Sequence, residues 1–168
     1  MKHPLTLTIT ILTILTFTLQ FISEQFGVGS GSVTASLPFT YYPHAPFHHF
    51  LIYHFFHVNI FHLIGNLLAL WYFRPRLTTI LVAYIVATLC AYIDTLIIPT
   101  STCGLSALLF AAFARRYVAW KENIWKLLSI ILLTGIIPTI NWHIHLISFL
   151  TAYAVWFIIY AYKSHKTP

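Results

Sequence analysis

The chain has 168 residues, of which 59% are apolar and only 7% charged, three of them acidic and nine basic; its mean hydropathy is +0.82. Soluble domains carry about 25% charged residues, so this composition excludes an aqueous globular enzyme and a disordered chain alike. The net charge of +6 does not mark a nucleic-acid binder, because the basic residues stand in ones and twos, and Cys90 and Cys103 make neither a disulfide framework nor a Cys-x-x-Cys metal pattern.

Taken in chain order, six apolar segments predict an all-α membrane protein with one six-span domain over residues 1–168. The first, about 5–22, is long for a signal peptide and lacks a small-x-small cleavage site, so it reads as a retained span. A long first loop, 23–57, follows. Gly27, Gly29, Gly31, Pro38, Pro43 and Pro46 argue against continuous helix there. Phe39, Tyr41, Tyr42, Phe47 and Phe50 suit a membrane interface. The remaining spans fall at about 58–73, 77–98, 104–119, 124–140 and 144–162. The second and fourth are short of the ~20 residues that cross a bilayer, which is tolerable where a helix starts below the surface, buried in protein.

Charge sets the orientation. With Lys2 in the cytoplasm, Arg74, Arg76, Arg115, Arg116, Lys121, Lys126, Lys163 and Lys166 fall on the same side. The opposite side holds eight of the ten histidines: His44, His48, His49, His54, His57, His62, His143 and His145. Both termini are therefore expected in the cytoplasm.

Polar groups at membrane depth are costly and point to function. They are His54, His57, His62 and Asn66 around span two, Asp94 near the end of span three, Ser106 at the start of span four, and Asn141, His143 and His145 entering span six. All lie towards the outer side. Ser106 and His145 offer a nucleophile and a base from different helices at matching depth; the alternative for Ser106 is helix packing. Its place in the first turn of a short helix puts free N–H groups beside it. His62 and Asn66, spaced i and i+4, share a face and serve either as an interhelical clamp or as oxyanion donors. Asp94 reads as a solvated helix end. His54 and His57 invite a metal reading, but no His-Glu-x-x-His motif and almost no acidic ligand accompany them. Neither metal nor cofactor is expected.

These motifs resemble those of rhomboids, the intramembrane serine proteases. His57-x4-His62-Leu63-x2-Asn66 is similar to the second-span motif of two histidines and an asparagine. Gly104-Leu105-Ser106-Ala107 resembles Gly-x-Ser-Gly, and His145 with Ser148 and Ala152 resembles the final-span histidine and its small-x-x-x-small pair. The element order matches along the whole chain. The resemblance implies a six-transmembrane-helix bundle with a long first extracytoplasmic loop. It makes Ser106 the nucleophile and His145 the general base. It gives Asn66, His62 and the Ser106 N–H to the oxyanion hole, stacks Phe110 on the imidazole, and leaves Gly104 and His57 supporting.

The resemblance also implies the work: cleavage of transmembrane segments of membrane proteins near the extracytoplasmic face, in a bacterial inner membrane. Transmembrane protein substrates and lipid are the expected partners, with no nucleic acid. Water is expected to arrive from outside, past His62, Asn141, His143, His145 and residues 100–102. The compact form also resembles a specialised bacterial branch, the rhombosortases, which process glycine-rich C-terminal tails. Three departures stand out: Ala107 replaces the second glycine of the serine motif, Ser148 replaces the first glycine after His145, and His48-His49 stand where the first-loop Trp-Arg pair belongs. Ala107 is expected to crowd the helix contact, and Ser148 to set spans four and six slightly further apart. The competing reading is a catalytically inactive rhomboid-like protein that binds transmembrane helices.

Overall fold

The computed structural model describes residues 3–25, 47–98, 102–120, 123–134 and 141–165. Every apolar segment forms helix: α1 (Pro4–Gln25), α3 (Ile60–Phe73), α4 (Leu77–Ile97), α5 (Ser106–Trp120), α6 (Ile124–Thr134) and α7 (Trp142–Ser164). A short α2 (Phe47–Ile52) and a 3₁₀ turn (Tyr53–Phe55) precede α3. No strand occurs among the described residues. Among the described residues three helices are long and apolar enough to cross a membrane: residues Pro4–Ser23 of α1, and α4 and α7 in full. The chain is accordingly a membrane protein. At 1.5 Å per residue α3 and α5 reach only about 21–23 Å. The glycine- and aromatic-rich stretch 26–46, Thr100 and Ser101, the end of the fifth apolar segment, and Lys2, Lys121 and Lys166 lie outside the described residues.

The glycines and prolines of the first loop argue against continuous helix, yet the short α2 forms near its end. Its residues come after Pro46, the last proline of that loop, so nothing in 47–52 removes a donor or breaks a turn.

The chain divides into two compact units, Met1–Pro75 with Pro99–Leu105, and Arg76–Ile98 with Ser106–Pro168. In the first, α1 turns its polar stripe inward. Thr6, Thr13 and Gln20, seven residues apart, are buried, whereas Ile11, Leu15, Leu19 and Ile22 are exposed. This inversion suits lipid, which solvates leucine but not amide or hydroxyl groups. The stripe bonds to its own unit: Thr16 Oγ1 donates to the Phe55 carbonyl at 2.8 Å, and Trp71 Nε1 donates to Thr10 Oγ1 at 2.9 Å. Asn59 caps α3 by accepting from the His62 N–H at 2.9 Å. Arg74 ends it in the left-handed region, φ 44°, immediately before Pro75.

In the second unit α5 packs most extensively on α7, and α4 packs on both. Small residues make that approach close. Ala107, Ala111 and Ala114 of α5 are buried, as are Ser148 and Ala152 of α7. On α4 the pattern is again inverted: Ala83, Ala87, Cys90, Ala91 and Asp94 are buried, while Leu81, Ile85, Leu89 and Ile93 are exposed. Arg115, near the end of α5, ties the three helices together. Its Nη1 donates to Thr79 Oγ1 of α4 at 2.7 Å, and its guanidinium sits 5.2 Å from the Trp156 ring of α7.

Candidate active site

Within the second unit, Ser106 opens α5 and His145 lies in the first turn of α7. They are 9% and 6% exposed. Ser106 Oγ and His145 Nε2 are 2.8 Å apart, the usual length of a hydroxyl hydrogen bond. With the hydroxyl as donor, Nε2 carries the lone pair and Nδ1 the proton. That is the tautomer a general base needs. Phe110, one turn after Ser106, lies against the imidazole with ring centroids 4.8 Å apart and planes 30° from parallel. An aromatic face there fixes the ring and favours it once protonated. The bond forms with Ala107 and Ser148 in place. The Ala107 methyl is buried beside the serine and Ser148 is fully buried.

The other expected residues meet in the first unit. His57 is the hub. Its Nδ1–H donates to the Phe55 carbonyl at 3.3 Å, which leaves Nε2 as an acceptor. That nitrogen takes an amide hydrogen of Asn66 at 3.0 Å and the Leu105 N–H at 3.5 Å. The His62 ring lies edge-on to His57, centroids 5.0 Å apart. Gly104 completes the cluster at φ +104°, its N–H donating to the Tyr53 carbonyl at 3.0 Å. A Cβ on Gly104 would lie 2.6 Å from His62 Cε1 and 3.5 Å from Asn66 Nδ2. Glycine is required twice over, by the backbone angle and by the space.

Burial keeps His57 and the neighbouring His54 uncharged at neutral pH. It lowers His57 to about 3, helped by the nearby His62 and opposed by the Phe55 carbonyl, and burial alone lowers His54 to about 3. Burial also pushes the Cys103 thiol up to about 12, against a bond from the Val58 backbone. Cys103 is thus a protonated thiol at neutral pH and a poor competitor of Ser106 for an electrophilic probe.

Two residues take roles that hydropathy and spacing do not report. Gln20 clamps the His57 backbone, its Nε2 donating to the carbonyl at 3.0 Å and its Oε1 accepting from the N–H at 3.4 Å. The signal was available, because Gln20 is the one amide in the apolar run 5–22. Asp94 is a correction. Expected as a solvated helix end, it is 1% exposed and accepts from Asn141 Nδ2 at 3.3 Å. Its position on the packed face of α4, with Cys90 and Ala91 one turn before it, hides it from solvent.

Among the described residues no group of three or more His, Cys, Asp or Glu side chains is placed to hold a metal ion. No family model matches the chain, and no curated protein matches it.

Proposed function

We propose that the chain is an intramembrane serine endopeptidase of the rhomboid type, cutting transmembrane segments of membrane proteins near the extracytoplasmic face. The observation that carries this reading is the 2.8 Å contact between Ser106 Oγ and His145 Nε2, with Phe110 against the imidazole. A buried serine on a buried histidine from another helix is costly to maintain for packing alone. The retained dyad also favours an enzyme over an inactive helix-binding relative.

In the proposed reaction Ser106 attacks the scissile carbonyl while His145 Nε2 takes the hydroxyl proton. His145 returns that proton to the leaving amine. Water, deprotonated by the same nitrogen, then hydrolyses the acyl-enzyme. The oxyanion falls to Asn66, His62 and the Ser106 N–H, as the resemblance assigns it. An amide nitrogen carries two hydrogens, so the Asn66 bond to His57 leaves a second donation chemically open. Six membrane helices with cytoplasmic termini, in a bacterial inner membrane, complete the proposal. The one-sided distribution of Lys and Arg supports that topology.

Fluorophosphonate labelling of the purified protein in mild detergent tests the reading. Labelling of the wild type that is lost in both Ser106→Ala and His145→Ala is the expected result. Absence of labelling in a folded wild type, or its persistence in Ser106→Ala, sinks the proposal and favours the inactive helix-binding protein.

A further inference from the structure

A second polar chain runs inside the unit that holds the dyad. The His143 Nδ1–H donates to Asn141 Oδ1 at 3.0 Å, and Asn141 Nδ2 donates to Asp94 Oδ2 at 3.3 Å. Asp94 is 1% exposed, and its Oδ1 is covered with no partner among the described residues. A buried carboxyl whose side chain has, among the described residues, one long hydrogen bond contributes little to packing, so its presence needs another reason. Asn141 is unusual too. It stands at the position before α7 where an asparagine side chain ordinarily caps its own helix. Here it makes no cap bond and reaches α4 instead. His145 follows four residues later, about one helical turn.

Along the α5–α7 contact the large interlocking groups, Tyr117 on Phe149 and Arg115 on Trp156, lie towards the far end of α5 from Ser106, and small residues make much of the rest. Ala107, Ala111 and Ala114 face a helix whose buried positions include Ser148 and Ala152. Small side chains bring backbones close but leave shallow ridges, so they resist sliding poorly. A slip of about 1 Å along that surface would misalign the 2.8 Å dyad contact and lengthen it by as much as about 1 Å, to the limit of hydrogen-bond reach or past it.

We infer that Asp94 is a positioning residue: through Asn141 it fixes the start of α7 against α4, at the depth where His145 Nε2 meets Ser106 Oγ. The role is geometric, and His143 holds Asn141 in the pose that reaches Asp94. The inference rests on the protease reading above.

The test compares wild type with Asp94→Leu, Asn141→Ala, the double variant of these two, and Asp94→Asn. Two readouts are taken at neutral pH in one detergent: the rate of fluorophosphonate modification of Ser106, and the ¹⁵N signal of the His145 ring. The ring signal reports the dyad bond whether or not the protein turns anything over. Asp94→Leu and Asn141→Ala should each slow modification about 10- to 100-fold, with the ring signal moving to that of Ser106→Ala. The double variant should be no slower than the slower single one. Asp94→Asn keeps an oxygen that accepts from Asn141 and should stay within about threefold of wild type. If Asp94→Leu does not fold, Asn141→Ala and Asp94→Asn decide the matter. Wild-type rates and an unmoved ring signal in Asp94→Leu and Asn141→Ala overturn the positioning role and leave the protease reading intact. Asp94→Asn as slow as Asp94→Leu overturns it as well. An unlabelled wild type defeats the protease reading instead, and the ring signal alone then decides whether Asp94 positions His145.

Discussion

Ser106 Oγ and His145 Nε2 stand 2.8 Å apart, joining the first residue of one helix to the first turn of another. Neither residue is useful to the proposed reaction without its partner. Ser106→Ala, His145→Ala and the double variant should therefore lose about the same activity, at least ~10³-fold, because members of one catalytic unit are not additive. Asn66→Ala should only weaken cleavage, by roughly 10²-fold if it donates to the oxyanion. Cleavage of a transmembrane substrate reconstituted with each variant measures both effects. A double variant far slower than either single one would mean that serine and histidine act separately.

Helix positions were legible because apolar runs in a membrane chain are long and their ends are marked. The run at 77–98 became α4, Leu77–Ile97, and the run at 144–162 became α7, Trp142–Ser164. Hydropathy starts the fourth segment at 104, whereas α5 starts at Ser106. Gly104 is apolar by composition but sits in a turn at φ +104°, and hydropathy does not report backbone angles. The pairing of Ser106 with His145 followed from depth and residue type. The Gln20 clamp and the burial of Asp94 did not, since both depend on which face of a helix meets a neighbour. On α1 and α4 that face is the one with the small and polar residues, the reverse of a soluble helix.

Gly104 and Gly65 should respond oppositely to alanine. At Gly104 the new Cβ would lie 2.6 Å from His62 Cε1 at φ +104°. The angle costs about 1–2 kcal/mol and the overlap about 1–3 kcal/mol. At Gly65, inside α3, nothing lies within 4 Å, so alanine should stabilise by about 0.5–1 kcal/mol. Thermal unfolding in detergent distinguishes the two. In a His62→Ala background Gly104→Ala should regain the overlap share alone, and full recovery would show that the angle carries no strain.

Acid should destabilise the protein earlier than carboxylate titration would. His54 and His57 are each lowered from 6.5 to about 3 in the fold. Below pH 6.5 the unfolded chain takes up protons that the folded chain refuses. The stability is thus complete above 6.5 and is lost progressively as pH falls towards 3. The slope is about 1 kcal/mol per pH unit for each histidine. His54→Phe removes one titrating group and should reduce the slope between pH 6.5 and 5 by about 1 kcal/mol per pH unit, whatever it does to stability at neutral pH. An unchanged slope in unfolding temperature against pH would assign the effect elsewhere.

Gln20 should matter more to the fold than any leucine around it. Its amide satisfies both the N–H and the carbonyl of His57, whose ring in turn receives Asn66 and Leu105. Gln20→Leu leaves two backbone groups without their partner in a buried place, at about 1–3 kcal/mol for each good bond lost. The longer of the two, at 3.4 Å, should count least, so a total near 2–4 kcal/mol is expected. Gln20→Asn is one methylene shorter and should recover little. Leu19→Ala, on the exposed side of the same helix, should change stability by less than about 0.5 kcal/mol. Unfolding of the three variants in one detergent gives the comparison. If Gln20→Leu were as mild as Leu19→Ala, the clamp would not be holding His57, and the order of the histidine cluster would have to come from Tyr53 and Gly104 instead.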